Sequence, residues 1–228
     1  MSSANTLASP DEIHAYLVGQ LGMGLRRIGM MGGEVSIRIL LDHLLFVERR
    51  PEAWEEERRT LETRGAWSAT GLTHAFDEFL PRDDGYGMAS LYAEFARRQG
   101  WLTDDRLLTG EEYTRLRATV EGWAASDRTW SDVTGRYGQP SVLIGGTNPY
   151  FGKVLGYFTE DVGQPMVFFH LWNGTDGPDA PWPPEREEPA LLAVRLGDVP
   201  VAEAFTFTPE GLRRRPLPCS GQSGRSRW

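Results

Sequence analysis

Side-chain periodicity changes once along this chain, near Tyr137, and that change constrains the fold more than any motif. Up to that point apolar residues recur every three or four positions, the spacing that lines one face of an α-helix. Beyond it come short apolar runs over 141–144, 153–159, 166–172, 190–196 and 201–207. Gly145-Gly146-Thr147-Asn148-Pro149 separates the first two runs and Gly163-Gln164-Pro165 precedes the third. Such turn residues between apolar runs are the mark of consecutive antiparallel strands. The pattern predicts an α+β fold, a helical N-terminal half packed on a five-stranded antiparallel C-terminal sheet. It divides the chain into a helical region over 1–137, an antiparallel β region over 138–210, either separate or sharing one core with the helices, and a disordered tail over 211–228.

Ser9-Pro10-Asp11-Glu12 has the cap, the proline and the acids of a helix start, and Ile13, Tyr16, Leu17 and Leu21 follow at helical spacing. Residues 34–50 carry Val35, Ile39, Leu40, Leu44 and Val47, a stripe wide enough to predict a central helix covered on more than one side. Residues 52–64 form a charged helix anchored by Trp54 and Leu61, and 68–80 read as another, ended by Pro81. Residues 86–99 place Met88, Leu91, Tyr92 and Phe95 on one face. Thr109-Gly110-Glu111-Glu112 is a capping box, and a short helix over 130–137 ends at Gly138.

Charge narrows the partners. The net charge is −8 over 228 residues, which argues against a nucleic-acid backbone as the main partner. Between 138 and 210, ten acidic residues face only Lys153, Arg186 and Arg195, while Arg213, Arg214, Arg215, Arg225 and Arg227 follow with no acid among them. No apolar run is long enough to span a bilayer and no leader with a charged start and apolar middle is visible, so a cytoplasmic protein without membrane contact is expected. Cys219 is the sole cysteine and excludes an intrachain disulfide. Lys153 is the sole lysine; the preference for arginine fits a GC-rich, bacterial-type coding sequence.

Two constellations could carry function. The loop after the third strand holds Trp182 among prolines, with Asp176, Asp179, Glu185, Glu187 and Glu188 nearby. An aromatic anchor amid acids suits docking of a basic protein partner, with Trp182, Glu185, Glu187 and Glu188 as contacts. This is the favoured expectation, a non-enzymatic binding module. The alternative is a small-molecule enzyme or ligand sensor, with His170 as acid/base or hydrogen-bond donor, Tyr157 and Asn148 positioning the ligand, and Lys153 binding an anion. His14, His43, His74 and His170 are scattered without ligand spacing, so neither a metal nor a cofactor is expected. No nucleophile elbow or phosphate-binding loop is present.

The segment Leu25-Arg26-Arg27-Ile28-Gly29-Met30-Met31-Gly32-Gly33 resembles an Arg-Pro-Gly-Met-Tyr-Gly element of small bacterial immunity-type proteins from polymorphic-toxin systems. Ile28 stands in place of the proline and Met31 in place of the tyrosine. The resemblance implies an immunity-type protein and assigns no functional residue here; occlusion of a basic toxin or effector would fit the acidic aromatic surface.

Overall fold

Ser9 begins the first helix as its sequence requires. In the computed structural model, which describes residues 7–81, 85–174, 182–184 and 186–216, the Glu12 amide donates to the Ser9 hydroxyl and the Ser9 amide donates to the Glu12 carboxylate. Helix α1 then runs Pro10–Arg26, and a 3-10 turn at Ile28–Met30 leads into α2, Gly33–Glu48. Helices α3 (Glu52–Thr63), α4 (Tyr86–Arg98), α5 (Gly110–Trp123) and α6 (Trp130–Tyr137) follow, the last two opened by capping boxes at Thr109/Glu112 and Thr129/Asp132. Five strands come next: β1 (Val142–Ile144), β2 (Lys153–Tyr157), β3 (Val167–Trp172), β4 (Ala190–Leu196) and β5 (Phe205–Phe207). They pair antiparallel in chain order, a meander, so the chain has the α+β arrangement read from its periodicity.

Helices cover both faces of the sheet. Val154, Phe168, Leu192 and Ala193 belong to a core shared with α1 to α4, and Leu155, Tyr157, Phe169, Leu171 and Leu191 to a core shared with α5 and α6. This is why the strands read as near-continuous apolar runs rather than alternating ones. Both cores draw on the N-terminal and the C-terminal halves. At His170 and Leu171 the register between β3 and β4 shifts: His170 faces Ala193 while Leu171 faces Leu191, leaving Leu192 as the extra residue of a bulge.

Three local expectations are corrected. Residues 68–80 are not a helix but a series of turns. Gly71 sits at φ +83°, outside right-handed helical space, and the amides of Leu72 and Thr73 donate to the Glu34 carboxylate on α2. The central helix is α4, buried from Gly87 to Arg97, and not α2, whose Val35 and Ile39 face solvent. Residues 211–214, expected in the tail, belong to α7 (Pro209–Arg214), which packs on β4 with its buried Glu210 paired to Arg186, Arg213 and Arg214. The tail from 217 onward, with Cys219, lies outside the described residues.

Candidate functional site

The turns of 71–81, the start of α2 and the start of α4 enclose a cleft of about 320 Å³. Its polar lining is Glu34, Thr73, His74 and Asp77; its apolar lining includes Leu72, Phe76, Leu80 and Met88. Glu34 takes four donors: the amides of Leu72 (2.9 Å) and Thr73 (3.1 Å), the Thr73 hydroxyl and the Tyr92 hydroxyl (2.7 Å). Burial, followed by Glu34, pushes the Tyr92 phenol well above its ordinary range, so it stays a donor. His74 Nδ1 lies 2.7 Å from Asp77 Oδ2 at the cleft mouth, where both side chains are about half exposed.

Phe76 forms the floor of this cleft and the roof of a polar layer beneath it. Its ring meets His170 edge-on, with centroids 5.7 Å apart, and the Arg195 guanidinium lies 5.2 Å from its centroid. His170 on β3 and Arg195 on β4 lie diagonally on one face of the sheet, since Phe168 is the residue opposite Arg195. Arg195 is wholly buried: Nη1 is 2.6 Å from Glu94 Oε1, Nη2 donates to Ser90 Oγ at 2.8 Å, and the guanidinium covers the Phe168 ring at 4.5 Å. Arg64 donates to the other Glu94 oxygen at 2.8 Å. Burial alone would raise the Glu94 carboxyl, but Arg195 and Arg64 hold it below its usual value. Among the described residues, neither His170 ring nitrogen has a hydrogen-bond partner, nor does Arg195 Nε. Burial, then Arg195, pushes the imidazole well below its ordinary pKa, so His170 is neutral.

The remaining residues expected at a ligand site lie elsewhere. Tyr157 and Lys153 project to the face of β2 opposite His170's face, because Val154 is the partner of His170. Tyr157 is buried and donates to the Gly138 carbonyl at 2.8 Å. Lys153 is buried as well; its ammonium donates to the carbonyls of Gly146 and Asn148, both at 2.9 Å, and sits 3.8 Å from the centre of the Trp130 ring. Loss of hydration lowers its pKa to about 8. Asn148 is exposed, and its Oδ1 accepts from the Tyr150 amide. The sheet therefore separates His170 from Lys153 and Tyr157, and Lys153 with Asn148 pins the β1–β2 turn.

The acidic loop is only partly described. Trp182 is 62% exposed and leans on Tyr150 and Phe151, with ring centroids 5.7 and 5.5 Å away. Glu187 is exposed, whereas Glu188 caps α6 by accepting from the amide (2.9 Å) and hydroxyl (2.7 Å) of Ser131. Glu185, Asp176 and Asp179 lie outside the described residues.

Sequence reasoning passed over Glu34, Phe76, Arg195 and Glu94. One signal was there to read: Arg195 interrupts the apolar run of β4, and Glu94 interrupts the apolar face of α4. Two opposite charges inside two buried elements point to each other.

No protein-family model, curated protein or solved structure matches the chain. Among the described residues, no helix is long and apolar enough to cross a membrane, and no group of three or more metal-binding side chains is assembled.

Proposed function

We propose that this chain is a cytoplasmic, non-enzymatic protein-binding module that docks through the outer face of its α1–α2 pair. The observation that carries this reading is the uncovered apolar surface there: Phe46 and Met30 are each 82% exposed, Val35 69% and Tyr16 64%, with Ile13, Met23 and Ile39 beside them in sequence spacing. Ile13, Tyr16 and Met23 recur on one face of α1; Val35, Ile39 and Phe46 recur on one face of α2. The helices run antiparallel. His14 meets Glu48 at one end, and at the other Gly24 lets Ile37 approach to where a Cβ would sit 2.9 Å from its methyl. Met30 and Met31 of the connecting turn are exposed as well, within the segment that resembles immunity-type proteins.

Large apolar side chains left exposed on two packed helices are a feature of protein interfaces. The pattern of α2 is that of a helix covered on several sides, and in the free chain the partner's side is bare. The partner that fits is a protein with an apolar helical surface. The net charge of −8 favours a basic one, steered by long-range attraction. Occlusion of a basic toxin is one form of this reading. Trp182, with Tyr150 and Glu187, is a second, smaller contact area.

A photo-crosslinking side chain tests the assignment in source cells. Placed at 39 or 46 it should yield one discrete adduct; placed at exposed Glu121 it should yield none. Adducts at neither 39 nor 46, with one at 182, would move the interface to the Trp182 loop.

A second reading, small-ligand binding, is favoured by one observation: the solvent cleft stops a single ring short of His170.

A further inference from the structure

We propose that outward rotation of the Phe76 ring opens, from the cleft, a binding site for a small aromatic carboxylate, with Arg195 and His170 as its polar contacts. The proposal stands apart from the docking face and rests on the second reading above.

Four observations converge on that ring. Buried polar groups in folded proteins nearly always have partners, yet both nitrogens of His170 and Nε of Arg195 lack one among the described residues, and all three lie on the same sheet face. The Phe76 ring covers both side chains on one side and lines the solvent cleft on the other. Its own segment is held by isolated turns and by the Glu34 carboxylate, with neither a helix nor a strand ladder to fix it. The walls around His170 are aromatic: Phe205 lies 5.7 Å away, and Phe168 lies under Arg195.

These features select the ligand. Arg195 holds Glu94 by an ion pair at Nη1 and donates from Nη2 to Ser90, while its buried Nε–H has no hydrogen-bond acceptor among the described residues. A neutral imidazole offers one N–H beside it. The Arg195 guanidinium, partly neutralised by Glu94, is the charged group that acts on His170, and a carboxylate can share it with Glu94. A carboxylate accepts from both donors at once, and hydrogen bonds to charged groups in such surroundings are the strong ones. A phenyl ring attached to it would take the place that the Phe76 ring vacates, between Phe205 and the cleft. Benzoate is the minimal molecule with both parts.

Binding of benzoate and of toluene is measured by thermal shift and calorimetry on the full chain and on Phe76→Ala, with Phe76→Leu as the milder variant should the first fail to fold. Benzoate should raise the midpoint of the wild type. It should bind at least tenfold more tightly to the Phe76 variant, which no longer has a ring to displace, while toluene, lacking the charge, should bind more weakly than benzoate to both. His170→Leu should weaken benzoate tenfold or more in the Phe76→Ala background without loss of the fold. Reaction of His170 with diethylpyrocarbonate, resolved by mass spectrometry from that of His14, His43 and His74, should slow when benzoate is added. No response to millimolar benzoate in any variant would overturn the proposal. So would toluene binding as well as benzoate, which would mark a purely apolar cavity, or benzoate binding unchanged by His170→Leu.

Discussion

The Phe76 ring stands edge-on to His170, centroids 5.7 Å apart and planes at 88°, so a solvent-lining side chain seals a histidine that is wholly buried. A neutral histidine whose ring nitrogens find no partner among the described residues is a source of instability, and its protonation is worse. In the folded chain its pKa is depressed, so below about pH 6.5 the unfolded chain takes up a proton that the folded chain refuses. The stability associated with His170 is therefore complete above about pH 6.5 and falls as the pH drops from there toward the folded-state value. Urea unfolding at pH 7.5 and pH 5 should show His170→Leu losing less stability on acidification than the wild type. At pH 7.5 His170→Leu should be as stable as the wild type or more so, by up to about 2 kcal/mol, since two unmet polar atoms disappear.

Glu34 holds the cleft's wall. Glu34→Ala leaves the amides of Leu72 and Thr73 and the Tyr92 hydroxyl without their acceptor. The expected loss is about 1–3 kcal/mol, and it should be local. Hydrogen exchange over 71–80 should accelerate strongly while β2 and β3 remain protected; uniform acceleration across the chain would show that the carboxylate serves global stability instead.

Lys153 fills a place that arginine cannot. Its compact ammonium sits between two carbonyls over the Trp130 ring, and the larger planar fork of a guanidinium does not match that geometry. Lys153→Arg should cost about 1–3 kcal/mol through overpacking. A depressed lysine pKa also has a signature: between about pH 8 and pH 9.5, below the ordinary tyrosine range, the unfolded chain holds the proton that the folded chain releases, so stability rises with pH. Lys153→Met should remove that rise.

The last helix is fitted to β4 at one glycine. A Cβ on Gly211 would lie 1.9 Å from the Leu192 carbonyl oxygen, a backbone atom that cannot step aside. Gly211→Ala should lift α7 from the sheet, break the Arg186–Glu210 pair and expose the chain after 205 to limited proteolysis. Cleavage indistinguishable from that of the wild type would contradict this fit.

What the sequence disclosed follows from the range of each interaction. Helix starts at Ser9 and Thr109 are local, settled by a side chain and an amide three residues apart, and they were legible. So were four of the strands, whose turns are also local; the fifth run, expected over 201–207, is a 3-10 turn at Val201–Glu203 followed by a strand only at Phe205–Phe207. The segment 68–80 was not, because the group that prevents a helix there, Glu34, lies some forty residues earlier. Nor was the role of α2: its apolar stripe says that it is covered, but only the packing shows that α4 takes the centre and leaves Val35 and Ile39 bare. The strand pattern places His170 among aromatic side chains, and Phe76 and Phe205 do pack on its ring. Its supposed companions Lys153 and Tyr157 were in reach along the chain but on the wrong side of the sheet, which strand alternation and the register together decide.

The docking face is tested most directly by the affinity of the crosslinked partner, once purified, for Phe46→Glu and Ile39→Glu, with circular dichroism showing an unchanged fold. Burying a charge in an apolar contact should raise Kd tenfold or more, an effect of at least about 1.4 kcal/mol, whereas Trp182→Ala should change it much less. A Kd unaltered by both glutamates would contradict docking through α1 and α2.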